Sequence, residues 1–154
     1  MGMEIERKFL LTNDGWRKLA EGVYYRQGYL NRDKERTVRV RTINKKGFLT
    51  IKGIARGALR AEYEYEIPYK DGCEMLENLA EKPIIEKKRY TIDYKGFTWE
   101  IDEFYGNNRG LVVAEIELSS EDQHFQKPEW IGEEVTDDPK YFNSSLVKHP
   151  YAAW

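Results

Sequence analysis

Acidic and basic residues recur in this chain at a spacing of two, with one sign favoured in each stretch. Glu4, Glu6 and Lys8 open the series. Arg39 and Arg41 follow, then Lys52, then Glu62, Glu64 and Glu66, then Lys87 and Arg89, then Glu100 and Asp102, and last Glu115 and Glu117. In a β-strand, residues two apart point to the same side. Each stretch therefore offers a charged face, while Ile5, Phe9 and Leu11 in the first stretch, and Val38 and Val40 in the second, fall on the opposite face. Converging on one space, these faces would set carboxylates able to hold a metal ion against cations able to hold phosphate. Oxygen-only ligands suit Mg²⁺ or Mn²⁺ better than zinc.

Alternation of polar and apolar residues usually marks an antiparallel sheet with one wet face. Segregation by sign argues for something more enclosed. A solvated face mixes opposite charges, because like charges placed across from one another destabilise a sheet. Glu62, Glu64 and Glu66 in a row would repel one another unless cations stood among them.

The elements that must carry these residues follow from the same pattern. Strands are expected at 3–11, 23–31, 36–44, 47–54, 60–68, 84–94, 97–105 and 111–119, with turn residues at Asn44 to Gly47, Ala55 to Gly57 and Tyr94 to Gly96. Short helices are expected over 16–20, over 73–80 with Asp71 as its cap, from Ser119 onward, and over 141–148 after Pro139. The fold class is thus α+β: an antiparallel β-barrel with a charged lumen, covered by short helices on its apolar outer face. That arrangement inverts the usual small barrel, which fills its inside with apolar side chains.

Composition narrows the function further. The 154 residues suit one domain spanning 1–154, and four Trp, eleven Tyr and six Phe supply a core although 34% of residues are charged. Lys+Arg (25) and Asp+Glu (27) nearly cancel, which predicts neither nucleic-acid nor membrane-surface binding. One cysteine, Cys73, and the lack of an apolar leader or span predict a cytoplasmic protein. His124 and His149 lie outside the charged strands, no phosphate-cradling glycine loop ending in Lys-Ser or Lys-Thr occurs, and the four Trp are dispersed. No rival constellation for catalysis emerges.

The opening Glu-Ile-Glu-Arg-Lys resembles the E-x-E-x-K signature of the CYTH superfamily, the triphosphate tunnel metalloenzymes. Further resemblance runs through 26–30, 38–41, 49–53, 62–68, 87–90, 99–106, 112–118 and 132–146, nearly the whole chain, and is strongest to short bacterial members acting on inorganic triphosphate. It implies an eight-stranded tunnel that needs a divalent cation. Carried over, it implies that Lys8, Arg39, Arg41, Lys52, Lys87, Arg89 and Lys140 bind the substrate. Glu4, Glu6, Glu64, Glu66, Glu100, Asp102, Glu115 and Glu117 would hold metal or orient water, with Glu62 at the edge of the matched motif. Glu4, Glu6, Lys8 and Lys87 form the implied catalytic set, and Lys140 and Tyr141 match the start of a helix that plugs one tunnel mouth in relatives. The implied activity is hydrolysis of inorganic triphosphate to pyrophosphate and phosphate. Its alternatives are a class IV-type adenylyl cyclase, a nucleoside or thiamine triphosphatase, and a non-catalytic polyphosphate-binding barrel. The expected partner is a small triphosphate, and a homodimer is left open.

Overall fold

A computed structural model describes residues 3–154 and contains nine antiparallel strands. They are β1 (Met3–Leu11), β2 (Val23–Asn31), β3 (Arg36–Ile43), β4 (Lys46–Gly53), β5 (Leu59–Ile67), β6 (Ile85–Tyr94), β7 (Phe97–Phe104), β8 (Val112–Glu117) and β9 (Ile131–Glu134). The first eight stand within two residues of the expected bounds. Neighbours run β5-β4-β3-β2-β6-β7-β8-β1, and β1 pairs back onto β5 through Met3↔Ala61, Glu4↔Arg60 and Ile5↔Leu59, which closes an eight-stranded barrel. Two-residue hairpin turns at Asn44-Lys45 and Lys95-Gly96 have positive φ at both positions, the hand that matches strand twist.

Strand β1 is shared among three partners. Residues Glu6 to Phe9 pair with β8, Met3 to Ile5 pair with β5, and Phe9 and Leu11 pair with β9. Past the end of the β5 pairing, the Val135 N–H donates to the Lys8 carbonyl and the Lys8 N–H donates to the Thr136 hydroxyl. Strand β9 was not foreseen in the sequence, because four residues with two glutamates carry too little alternation to register.

The outer face of β1, β6, β7 and β8 buries Phe9, Trp99, Ile101, Ala114 and Ile116 together with Trp16, Leu118, Trp130 and Ile131. Trp99 meets Phe9, Phe125 and Trp130 edge to face at centroid distances of 5.5 to 6.0 Å. Helices were expected to cover this face, but a 3₁₀ turn (Gly15–Lys18), the segment carrying Phe125 and Trp130, and β9 do so. Helix α1 (Tyr69–Asn78) links β5 to β6 and covers the other side, packing Leu76 and the following Ala80 on Val40. Close approach needs Gly28, where an added Cβ would stand 2.7 Å from the Ala80 Cβ.

Three helical expectations are corrected. Helix α1 starts at Tyr69, because Pro68 sets the entry, so Asp71 sits in the first turn instead of capping. From Ser119 onward the chain turns without forming a helix, since Gln123 Oε1 accepts from the Ser119 N–H and Ser120 Oγ donates to Asp122. The C-terminal helix is broken: a 3₁₀ turn at Pro139–Tyr141, extended Phe142, then one turn of helix α2 (Asn143–Leu146). No helix among the described residues is long and apolar enough to cross a membrane.

Because Trp99 is fully buried among three aromatic rings, Trp99→Ala should destabilise the protein by about 3–5 kcal/mol. Urea unfolding followed by circular dichroism checks this, and a loss below about 1 kcal/mol would show that the outer core tolerates the cavity.

Candidate active site

Barrel order converts the sign pattern of the sequence into geometry. Strands β7, β8, β1 and β5 are contiguous and carry Glu100 and Asp102, Glu115 and Glu117, Glu4 and Glu6, and Glu62 and Glu64. The remaining strands, β4, β3, β2 and β6, are also contiguous. They carry Lys52, Arg39 and Arg41, and Lys87 and Arg89, with uncharged Tyr25, Gln27 and Tyr29 on β2. An acidic half-barrel thus faces a basic one. On the inward face, Lys8 and Arg60 are the cations placed on acidic strands.

The lumen holds a cavity of about 210 Å³. Six cations line it (Arg39, Arg41, Lys52, Arg60, Lys87, Arg89), with seven carboxylates (Glu4, Glu6, Glu62, Glu64, Glu100, Glu115, Glu117). Below the charged layer the lumen turns apolar. Tyr29, Ile85, Phe104 and Val113 pack there with Val135, Tyr141, Leu146 and Val147. The tunnel is therefore a cup, floored by the C-terminal segment.

Ion pairs concentrate where the two halves meet. At the seam of β4 and β5, Lys52 pairs with Glu62 at 3.6 Å, and it reaches Glu4 on β1 at 2.6 Å. Glu64 takes Arg41 at 3.1 Å and the Thr50 hydroxyl at 2.7 Å. At the seam of β6 and β7, Asp102 accepts from Arg89 Nε and Nη2, one edge of the guanidinium, at 2.7 and 2.9 Å, and from Lys87 at 2.7 Å. Burial alone would raise the Asp102 carboxyl, but Arg89 and Lys87 hold it far below the usual carboxylate range. Burial lowers the Lys87 ammonium to about 7, against the pull of Asp102.

Along each half, like charges also crowd one another. Burial first, then the charge of Glu115, raises Glu6 to about 8. Burial also raises Glu117 and Glu62, reinforced for both by Glu4 among other carboxylates. Glu115 goes the other way: burial pushes it up, but Lys8 and Arg89 bring it down to about 2. On the basic half, burial and the neighbouring Arg39 and Arg89 lower Arg41 to about 10. Among the described residues, the buried Nε atoms of Arg39 and Arg41 have no hydrogen-bond partner.

Four implied site residues are placed elsewhere. Lys140 is exposed, its ammonium 4.6 Å from the Trp154 ring centroid and 5.4 Å from that of Tyr141, because the 3₁₀ turn points it away from the lumen. Glu66 is exposed and does not line the cavity, since it lies on the charged row beyond Glu64. Asp102 is buried behind the wall with both oxygens occupied by cations. Lys8 lines a smaller adjoining space with Thr136 and Phe142, 3.6 Å from Glu115. Arg60 joins the cavity unannounced, although it continues the spacing of Glu62 and Glu64 backward by one step. Asn143 joins it with no signal in the sequence beyond its place in the plug.

The donor chemistry fits a hard divalent cation: every acidic ligand is an oxygen, and the carboxylates of Glu6 and Glu117 lack enough positive charge. Among the described residues, no three acidic, histidine or cysteine side chains close into a ready-made cage. Such a cation would be held jointly by wall carboxylates, Glu4, Glu6, Glu115 and Glu117, and by oxygens of a ligand.

The conserved sequence pattern of the CYTH domain matches residues 2–151. The chain belongs to the CYTH family. It is 59% identical over 151 residues to an inorganic triphosphatase of Acetivibrio thermocellus, covering 98% of this chain and 97% of that protein. An inorganic triphosphatase of Nitrosomonas europaea is 39% identical over 150 residues, covering 94% and 96%. The crystal structure of an inorganic triphosphatase superposes with a TM-score of 0.66 at 36% identity, covering 93% of this chain and 96% of that one.

A proton is held by Glu6 in the metal-free folded CYTH barrel up to about pH 8, whereas the unfolded chain releases it near the ordinary carboxylate value. Between these limits the folded state binds more protons, so stability falls as pH rises. Melts in EDTA from pH 5 to pH 7 should show this fall, and Glu6→Gln should flatten it. An unchanged slope in Glu6→Gln would remove Glu6 as its source.

Proposed function

We propose that this CYTH barrel hydrolyses inorganic triphosphate to pyrophosphate and phosphate, with Mg²⁺ or Mn²⁺ as its cation. The observation that carries the reading is the set of six cations that converge on the lumen, five of them on the basic half, with the buried Nε groups of Arg39 and Arg41 lacking an acceptor among the described residues. Buried donors without acceptors are costly, and phosphate oxygens remove that cost. A triphosphate carries about four to five negative charges near neutrality, which suits such a row.

The chain's own residues divide the work. Arg39, Arg41 and Arg89 offer planar forks to phosphate oxygens, while Lys52 and Lys87 act as point charges. Their donors are held by Glu64, Asp102 and Glu4, so little reorganisation is needed when charge shifts toward the leaving group. A bound divalent cation would lower the pKa of water and neutralise charge on the phosphoryl group. Glu6, Glu115 and Glu117 stand on the wall opposite the arginines, where they can hold that cation and orient water.

The lining also favours inorganic triphosphate over its organic esters. Tyr29 and Phe142 are the aromatic rings on the cavity wall, and its volume of about 210 Å³ falls below the usual range for drug-sized ligands. Adenine or thiamine would have to extend through the mouth with few apolar contacts. A cyclase would need such contacts to aim a ribose hydroxyl.

Purified protein with Mg²⁺ or Mn²⁺ should release phosphate from triphosphate much faster than from pyrophosphate or ATP, and EDTA should abolish release. Cyclic AMP formed from ATP faster than phosphate leaves triphosphate would replace this reading with the cyclase one. Within the same assay, Arg41→Ala should raise KM about tenfold or more with a smaller loss in kcat, whereas Glu117→Gln should raise the metal concentration required. An unaltered metal response in Glu117→Gln would take that carboxylate out of the metal site.

A further inference from the structure

The buried ammonium of Lys87 is anchored from two directions by different parts of the chain. Its side chain is 1% exposed, yet Lys87 contributes to the cavity wall. An ammonium has three N–H donors. One goes to Asp102 Oδ2 on β7 at 2.7 Å, and one to Asn143 Oδ1 at 3.1 Å. Among the described residues the third has no acceptor. The rings of Tyr25 and Phe104, centred 5.9 and 5.6 Å from Nζ, crowd the ammonium laterally.

Asn143 is itself held in place. Its Oδ1 also accepts from Gln27 Nε2 at 3.0 Å, and Gln27 is fully buried on β2, the strand that pairs with β6. One amide oxygen therefore ties the first residue of α2 to two strands of the basic half. Local sequence explains the placement: Phe142 is extended and lines the cavity, which turns the next residue inward before the helix begins.

We propose that Asn143 is a positioning residue, which fixes the Lys87 ammonium so that its remaining N–H points at a phosphate oxygen. This rests on the reading of the lumen as a triphosphate site. With Asp102 as sole anchor the ammonium could rotate about its last bond, and the direction of the free donor would be lost. Two fixed acceptors leave the third direction determined by tetrahedral geometry. The floor of the cup then does more than close the lumen, because it sets the aim of a phosphate-binding group in the wall.

A double-mutant cycle tests this, using imidotriphosphate with Mg²⁺ as the probe and calorimetry as the readout. Asn143→Ala should weaken binding about tenfold to a hundredfold, the effect of losing a hydrogen bond that involves a charged group. In a Lys87→Met background the same change should cost less than about twofold. An equal loss in both backgrounds, or no loss in the wild-type background, overturns the proposal. A ligand-free readout guards against misfolding: in mildly acidic buffer the Lys87 ammonium protons should exchange slowly by ¹⁵N NMR in wild type and in Asn143→Asp, which keeps the oxygen. They should exchange faster in Asn143→Ala. Fast exchange in Asn143→Asp overturns the proposal even if Asn143→Ala cannot be purified. Wild-type protein that binds the probe but releases no phosphate from triphosphate refutes the hydrolase reading alone, and protein that binds no probe refutes both.

Discussion

Like charges packed on one wall of a closed space repel one another, and every other feature of this barrel accommodates that repulsion. Opposite signs meet along the two seams, β4 with β5 and β6 with β7, where Lys52, Arg41, Lys87 and Arg89 find Glu62, Glu64, Glu100 and Asp102. The seams pin the halves together electrostatically. Glu6 and Glu117 are crowded by other carboxylates, while Arg39 and Arg41 share the one carboxylate of Glu64 and have buried Nε atoms with no acceptor among the described residues. Breaking one member of such a buried pair leaves a bare charge, which costs far more than an exposed pair contributes. Binding of a cation and a polyanion thus completes an arrangement that the fold holds open.

Residual strain of this kind explains why the site is built on strands and not on loops. Strand pairing fixes each charged residue to its neighbours across the sheet, as with Glu100↔Glu115 and Glu6↔Glu117, so repulsion cannot be relieved by a small backbone movement. A slip of one residue would carry a whole charged row to the outer face and bring Trp99 or Phe9 into the lumen. The aromatic packing outside and the charge inside therefore enforce the same register.

Much of this was legible in the sequence, for a physical reason. Period two with a constant sign is hard to produce except on strands that share an enclosed face, so the first eight strands and the lumen residues of β3, β4, β6 and β8 could be read directly. What escaped depends on depth along the barrel and on contacts between distant segments. Alternation puts Glu66 and Asp102 on the charged face but does not tell that one emerges into solvent while the other is sealed behind two cations. Neither can it tell where a lumen changes from charged to apolar, since Phe104 and Val113 occupy the same rows as Asp102 and Glu115. Lys140 followed the family resemblance, and a short 3₁₀ turn sends it outward onto Trp154.

The division of β1 among three partners has a temporal side. Lys8 and Thr136, joined in the finished barrel, lie 128 residues apart in the chain. Hairpins from β2 to β5 and from β6 to β8 need only local turns, whereas the N-terminal strand must wait for β8 and β9 before both of its edges are filled. Contacts of such separation form after loop-closure entropy has been overcome, and they set the pace of folding in β-proteins. During synthesis on the ribosome, the first strand of the barrel is accordingly among the last of its strands to find its place. Until then the charged faces of β2 to β5 and of β6 to β8 lie open to water, where solvent screens them.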